Sequence, residues 1–325
     1  MYLEALSKII YVSFLHKNTN FASNYYEGGL CYMSLTWLFT FLFMIQQITP
    51  QAGVDISRNG KPIYSINRED YAIGDPSYFI LDSKKYNKLV NRLEKQLSVL
   101  PIDARLDQHG NLIPEQTGLS INRHAFTESF YSFFFEQNKS TLEIPMYPVY
   151  PKVDSELLSD IRSIRIGRYI TSFNPRNKKR SNNIQLAVES INNHVVFPGE
   201  TFSFNSVVGK RTAEKGYEKA KVIVKGEYAE DIGGGICQVS STLFNAVDSA
   251  GLKIVQRFSH SRNVSYIPPG RDATVSWYGP DFEFKNMYNQ PILIQAKTIG
   301  NLLVIKLYSS EVIEYKPKKV PFPTL

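Results

Sequence analysis

Gly251 divides the C-terminal half of this chain by period. Ahead of it Val239, Leu243, Ala246, Val247 and Ala250 recur at helical spacing. The stretch "DIGGGICQVSSTLFNAVDSAGL" (231–252) therefore reads as a glycine turn, a helix opening near Cys237 and a stop at Gly251. Beyond Gly251 the signal is β: "LKIVQRFSHS", "ATVSW", "FEFKN", "PILIQAKTI" and "NLLVIKLYSS" are strand candidates separated by Gly, Pro and Asn turns. Such an order predicts an α+β fold, with the cysteine-bearing helix packed on a largely antiparallel sheet.

The same domain, expected over 166–312, opens with a second helix. Ser181 is its expected N-cap, and Ile184, Ala187, Val188 and Ile191 form one stripe. The preceding "PRNKKR" (Pro175 to Arg180) reads as a solvated loop or as a hold on an anionic substrate. A smaller α+β domain is expected over 55–165. There Tyr86, Leu89, Val90, Leu93 and Leu97 mark one helix, capped by Asp82 or Ser83. Phe126, Phe130, Phe133 and Phe134 mark another, so the aromatic run 130–135 reads as a packed face ahead of a ligand platform. Two short strands flank a His109-Gly110-Asn111 turn, "DSELLSDIRSI" is a short helix, and 313–325 is a Pro- and Lys-rich flexible tail.

Residues 1–54 form the expected signal or membrane-anchor segment. Residues 28–54 carry no charge, and Leu35 to Ile45 are almost wholly apolar, as in an export signal. Leu30 to Ile48 is just long enough to span a bilayer, and the alternative is a buried core helix. "PQAG" (Pro50 to Gly53) offers a cleavage site. The expected location is the extracytoplasmic cell envelope, anchored or secreted through residues 30–48.

The net charge of +7 and pI of about 9.1 suit anionic partners such as a membrane surface or a wall polymer. No nucleic-acid module appears, so nucleic acid is not an expected partner. Of two cysteines, Cys31 falls in the apolar segment, which leaves Cys237 a solitary thiol. Two cysteines exclude CxxC metal sites, and no metal or cofactor is expected.

Cys237 is either an inert buried residue or a nucleophile. The first turn of a helix places a thiol at unpaired N–H groups and the positive dipole end, which favours the thiolate. Oxyanion or substrate contacts are expected from Gly234, Gly235, Ile236, Gln238, Ser240 and Ser241, with Arg262 beside the candidate histidine. That histidine is His260, which a returning strand can bring to the helix start, and His194 is its competitor. Asp272 is the expected orienting group, with Asn263 and Asp281 behind it.

These residues carry a family resemblance. From about Phe173 to Gln295, with GGGxCQxSSTL, the downstream HS and GxDATV, the chain resembles the VanW domain, named after an accessory protein of vancomycin-resistance clusters. Upstream, "LPIDARLDQHGNLIPEQTGLSIN" is similar to the peptidoglycan-binding domain that often precedes it. The resemblance implies a cell-envelope protein of a Gram-positive bacterium acting on peptidoglycan stem peptides. Some members are regarded as L,D-transpeptidases whose nucleophile is the cysteine of GGGxCQ, here Cys237. The leading expectation is thus a cysteine-dependent L,D-transpeptidase or carboxypeptidase. The alternatives are a non-catalytic peptidoglycan-binding scaffold linked to wall maintenance or glycopeptide resistance, and a hydrolase using the same Cys–His pair on another bond.

Overall fold

The computed structural model describes residues 53–74, 80–136, 141–224 and 227–323. The expectations placed on residues 1–52, including Cys31, the apolar span and the cleavage site, lie outside the described residues. Among the described residues no helix is long and apolar enough to cross a membrane.

The fold is α+β in two compact units. The first combines residues up to Lys95 with Ile121–Pro145. In it β1 (Val54–Arg58) pairs antiparallel with β2 (Lys61–Ile66) and parallel with β3 (Thr141–Glu143). Helices α1 (Ser83–Leu97) and α2 (Arg123–Glu136) form where their periodicity predicts them. Tyr86, Leu89, Val90 and Leu93 are buried, as are Phe126, Phe130, Phe133 and Phe134. Tyr131 and Phe135 are exposed, so the helical period splits the aromatic run and makes it a packed face.

The second unit comprises Gln96–Ser120 and Met146 onward. Residues 96–120 and 146–165 therefore group with the segment that carries Cys237. It contains the short helix α3 (Ser155–Asp160), capped by Asp154, whose side chain accepts from Leu157 N. Its main sheet is antiparallel and ordered β4 (Ile164–Ser172), β12 (Leu302–Ser309), β11 (Ile292–Ile299), β5 (His194–Val196). A second antiparallel sheet runs β6 (Thr201–Ser203), β10 (Glu283–Lys285), β9 (Lys253–Gln256). The hairpin β7 (Lys219–Val224) and β8 (Glu227–Ile232) leads into the glycine turn.

Helix α4 (Lys178–Ile191) begins earlier than expected. Asn177, whose side-chain oxygen accepts from Arg180 N at 3.2 Å, is the N-cap in place of Ser181. The end of the basic loop is thereby drawn into the helix. After the one-turn α5 (Phe204–Val208), helix α6 (Ile236–Ser249) packs on β4, β12 and α4. Its buried residues reach around the whole circumference, as an interior helix requires. Leu243, Phe244 and Val247 each contribute about 1.5–3 kcal/mol through burial. Gly251, at φ +76°, closes α6: its N–H donates to Asp248 O, while Leu252 N donates to Val247 O.

Two strand expectations need correction. "ATVSW" is irregular because its backbone partners are scattered: side chains of α6 at Ala273, and the single carbonyls of Phe258 and Pro280 at Thr274 and Ser276, in place of a neighbouring strand. "LKIVQRFSHS" is a strand only over Lys253–Gln256, and His260 stands on the loop beyond. The C-terminal tail, expected to be flexible, is tied down as far as it is described. Tyr169 donates from its hydroxyl to Pro321 O at 2.6 Å, Phe322 stacks on its ring, and Lys318 N donates to Ser249 O at 2.9 Å.

Candidate active site

The turn before α6 fixes where Cys237 points. Gly235 is the N-cap at φ +108°, a conformation that L side chains rarely adopt, and no side chain caps the helix. A Cβ on Gly234 would stand 2.7 Å from backbone atoms of Ala220 and Lys221, so the turn lies directly against β7. Cys237 follows in the first turn, half-buried, where helix N–H groups lack intrahelical partners.

Facing it is the irregular segment 270–275. Ser240 Oγ donates to Ala273 O at 2.6 Å, and Ser241 Oγ accepts from Ala273 N at 2.9 Å while donating to Cys237 O at 2.6 Å. Asn245 Nδ2 donates to Arg271 O at 2.8 Å. These bonds lay the segment along α6 and leave Cys237 Sγ 3.7 Å from Thr274 Oγ1 and 3.5 Å from Val275 O. A second set zips the segment to the His260 loop: Thr274 N donates to Phe258 O, and Arg257 Nη1 donates to Gly270 O and Asp272 O.

Within that frame Asp272 Oδ2 stands 2.6 Å from both the backbone N and the Nδ1 of His260. The two side chains are 7% and 8% exposed, so the pair is nearly dry. Against a carboxylate Nδ1 must be the protonated nitrogen, which leaves Nε2 for the thiol. Burial pushes the Cys237 thiol up, but the hydrogen bond and charge of His260 outweigh it and hold the thiol below its ordinary range. Burial correspondingly lowers His260, and Cys237 and then Asp272 reverse that, so the imidazole is more basic than usual. A thiol, an imidazole and a carboxylate in series form a nucleophile, a proton carrier and an orienting group.

The expected competitors fall elsewhere. His194, on β5, packs edge-on against Phe202, and burial makes it less basic. Asp281 accepts from Ser203 Oγ, Asn205 N and Phe282 N. Asn263 is exposed, as is Arg262.

Gln238, Ser240 and Ser241 are engaged within the protein. Both amide hydrogens of Gln238 go to Thr171 Oγ1 and Ser172 O at 2.9 Å, and its Oε1 accepts from Arg180 Nη2 at 2.7 Å. The serine hydroxyls anchor Ala273. Ile236 is a core residue. Ile236 N and Gln238 N are engaged as well, donating to Gly233 O and Gly235 O, so the oxyanion contacts left are the main-chain N–H of Cys237 and the arginines.

Three neighbours of the thiol lie outside the expected catalytic and oxyanion residues. Tyr266 reaches Ser241, and burial first, then the Cys237 charge, raises its pKa strongly. Arg180 and Arg211 both act electrostatically on Cys237, and burial lowers both. Arg180 had been visible as the end of "PRNKKR"; nothing in the sequence around Arg211 marks it.

The family described as "VanW like protein" matches residues 179–308, a span that holds Cys237, His260, Asp272 and both arginines. The uncharacterized protein YoaR of Bacillus subtilis (strain 168) is 53% identical over 285 residues, 87% of this chain and 94% of that protein. The chain belongs to the VanW-like family. Vancomycin B-type resistance protein VanW of Enterococcus faecalis (strain ATCC 700802 / V583) is 32% identical over 111 residues, 32% of this chain and 40% of that protein. No solved structure matches the chain.

Proposed function

We propose that this VanW-like protein is a thiol acyltransferase that acts outside the membrane on peptidoglycan stem peptides. The observation that carries the reading is the single carboxylate oxygen, Asp272 Oδ2, at 2.6 Å from both the backbone and ring nitrogens of His260, with that ring beside the Cys237 thiol. A carboxylate on the ring nitrogen orients an imidazole for proton transfer, a use that packing alone does not have.

In the proposed reaction Nε2 of His260 takes the thiol proton as Sγ attacks the carbonyl that joins an L- to a terminal D-residue of a tetrapeptide stem. The main-chain N–H of Cys237 receives the oxyanion. The C–N bond breaks, the imidazolium returns its proton to the departing amine, and a thioester remains on Cys237. An amine of a second stem then attacks the thioester, losing its proton through His260 and releasing the thiolate to give a cross-link. Water in place of the amine gives a carboxypeptidase. Asp272 fixes the Nδ1–H tautomer and balances the imidazolium charge. The segment 100–122, which carries the resemblance to a peptidoglycan-binding domain, is proposed to hold the wall polymer, and the N-terminal apolar segment to deliver the protein to the envelope.

The test is product analysis of muropeptides incubated with the purified protein. Loss of the terminal D-residue, with or without cross-linked dimer, is expected from the wild type and not from Cys237→Ala. Equal processing by Cys237→Ala overturns the proposal, and wall binding without any turnover assigns a scaffold role instead.

A further inference from the structure

Arg211 is a group near the thiol whose chemistry the triad leaves unused. Its terminal nitrogens Nη1 and Nη2 are both buried and make no hydrogen bond among the described residues. The stem lies against the glycine turn, where a Cβ on Gly233 would meet Arg211 Cβ at 3.4 Å and Cγ at 3.5 Å. Gly233 is one turn from the thiol, since its carbonyl accepts from Ile236 N. On the other side of the same turn a Cβ on Gly235 would meet Arg180 Cγ at 2.9 Å. The two arginines thus flank the start of α6, and Arg180 has already given Nη2 to Gln238.

The charges around Arg211 do not neutralise it by contact. Asp281 attracts it but directs its carboxylate to Ser203, Asn205 and Phe282. Tyr217 is a phenol, and Phe204 offers only its ring, 5.8 Å from the guanidinium carbon. A guanidinium stays charged at any physiological pH, so this side chain holds an unmet positive fork in a half-buried place. Planar bidentate donors of this kind match a carboxylate.

We infer that Arg211, seconded by Arg180, is the subsite for a substrate carboxylate adjoining the attacked carbonyl. This inference rests on the acyl-transfer reading and narrows it. The residue expelled is then chain-terminal, with its own α-carboxylate on Arg211, and a bond within a longer chain is a poor substrate.

The test uses two small alkylators on the full chain. Iodoacetate carries a carboxylate one bond from the carbon that Sγ attacks, and iodoacetamide is its neutral counterpart. Both react with the same thiolate, so their rate ratio cancels the thiol pKa. In Arg211→Met the iodoacetate-to-iodoacetamide ratio is expected to fall about tenfold or more, the loss of one charge-assisted bidentate contact. Thermal stability is expected to hold or rise, because a buried charge without protein partners is removed. An unchanged ratio, or a variant that no longer folds, overturns the inference and assigns Arg211 a structural role. With tetrapeptides, the free C-terminal acid is expected to be turned over and the C-terminal amide to be refused by the wild type but not by Arg211→Met. If the alkylation preference stands while no peptide is turned over, the acyl-transfer reading fails and the anion site survives. If acid and amide are turned over equally, the subsite fails and the acyl-transfer reading survives.

Discussion

Ser240 and Ser241 are adjacent, both fully buried and both bonded to Ala273, yet their loss is not equivalent. Ser241 Oγ is the acceptor for Ala273 N at 2.9 Å and the donor to Cys237 O at 2.6 Å. Ser241→Ala removes a hydrogen bond and strands a buried N–H, a combined cost of about 1.5–4 kcal/mol. Ser240 acts only as a donor, to Ala273 O at 2.6 Å or Cys237 O at 3.1 Å, and Ser241 still reaches Ala273 O at 3.4 Å. Ser240→Ala should therefore cost only about 0.5–1.5 kcal/mol. At about 2–4 °C per kcal/mol for a unit of this size, thermal unfolding should separate the two variants by several degrees. Because Ala273 follows Asp272, Ser241→Ala should also slow iodoacetamide alkylation of Cys237 at neutral pH more than Ser240→Ala does. A Ser240→Ala variant as damaged as Ser241→Ala, by both measures, would refute the reasoning that the 270–275 segment hangs on Ser241.

Four further outcomes follow from the same contacts. Alkylation of Cys237 followed against pH should rise at a lower pH than for an ordinary thiol; in His260→Ala burial, the largest effect, is opposed only by the smaller ones of Val275 and Thr274, so the rise should move to higher pH. Asp272→Asn should keep the fold but lose a charge-assisted bond to Nδ1 worth about 1.5–3 kcal/mol, slowing turnover by about tenfold to a hundredfold in steady-state kinetics. Gly234→Ala drives a Cβ into the immovable backbone of Ala220 and Lys221, and urea unfolding should register a loss of about 1–3 kcal/mol. Burial raises the Asp248 carboxyl, but Arg271 and then Lys318 hold it below its ordinary value of 3.8. Its stabilisation is therefore present above that value and lost as pH falls through the depressed one, so Asp248→Asn should destabilise at pH 7 and match the wild type in strong acid.

The sequence made the local elements legible and left the cross-chain pairings hidden. The stripe through Val239, Leu243 and Val247 marked α6, and three glycines before a lone cysteine marked its N-terminal end. His260 and Asp272 could be chosen because both follow α6 and carry the right chemistry. Their joining was not readable, since it depends on irregular backbone at 257–260 and 270–275 that alternation mistakes for strand. Ser181 reads as the cap because it stands just ahead of the apolar stripe, while the basic run conceals the true start at Asn177. Arg211 precedes the thiol by a β-hairpin, and only folding brings its stem to Gly233. The Pro- and Lys-rich tail looked frayed in composition, yet Pro321 and Phe322 are held by Tyr169.

The central claim is that Cys237 forms an acyl bond. Intact-protein mass spectrometry after brief incubation with a free-acid stem tetrapeptide, quenched in acid, tests it most directly. The account predicts an adduct with the mass of the tripeptide acyl group, mapped to Cys237, accumulating when no acceptor amine is supplied and absent from Cys237→Ala. Product formation without any adduct on Cys237, or at an undiminished rate in Cys237→Ala, would contradict it.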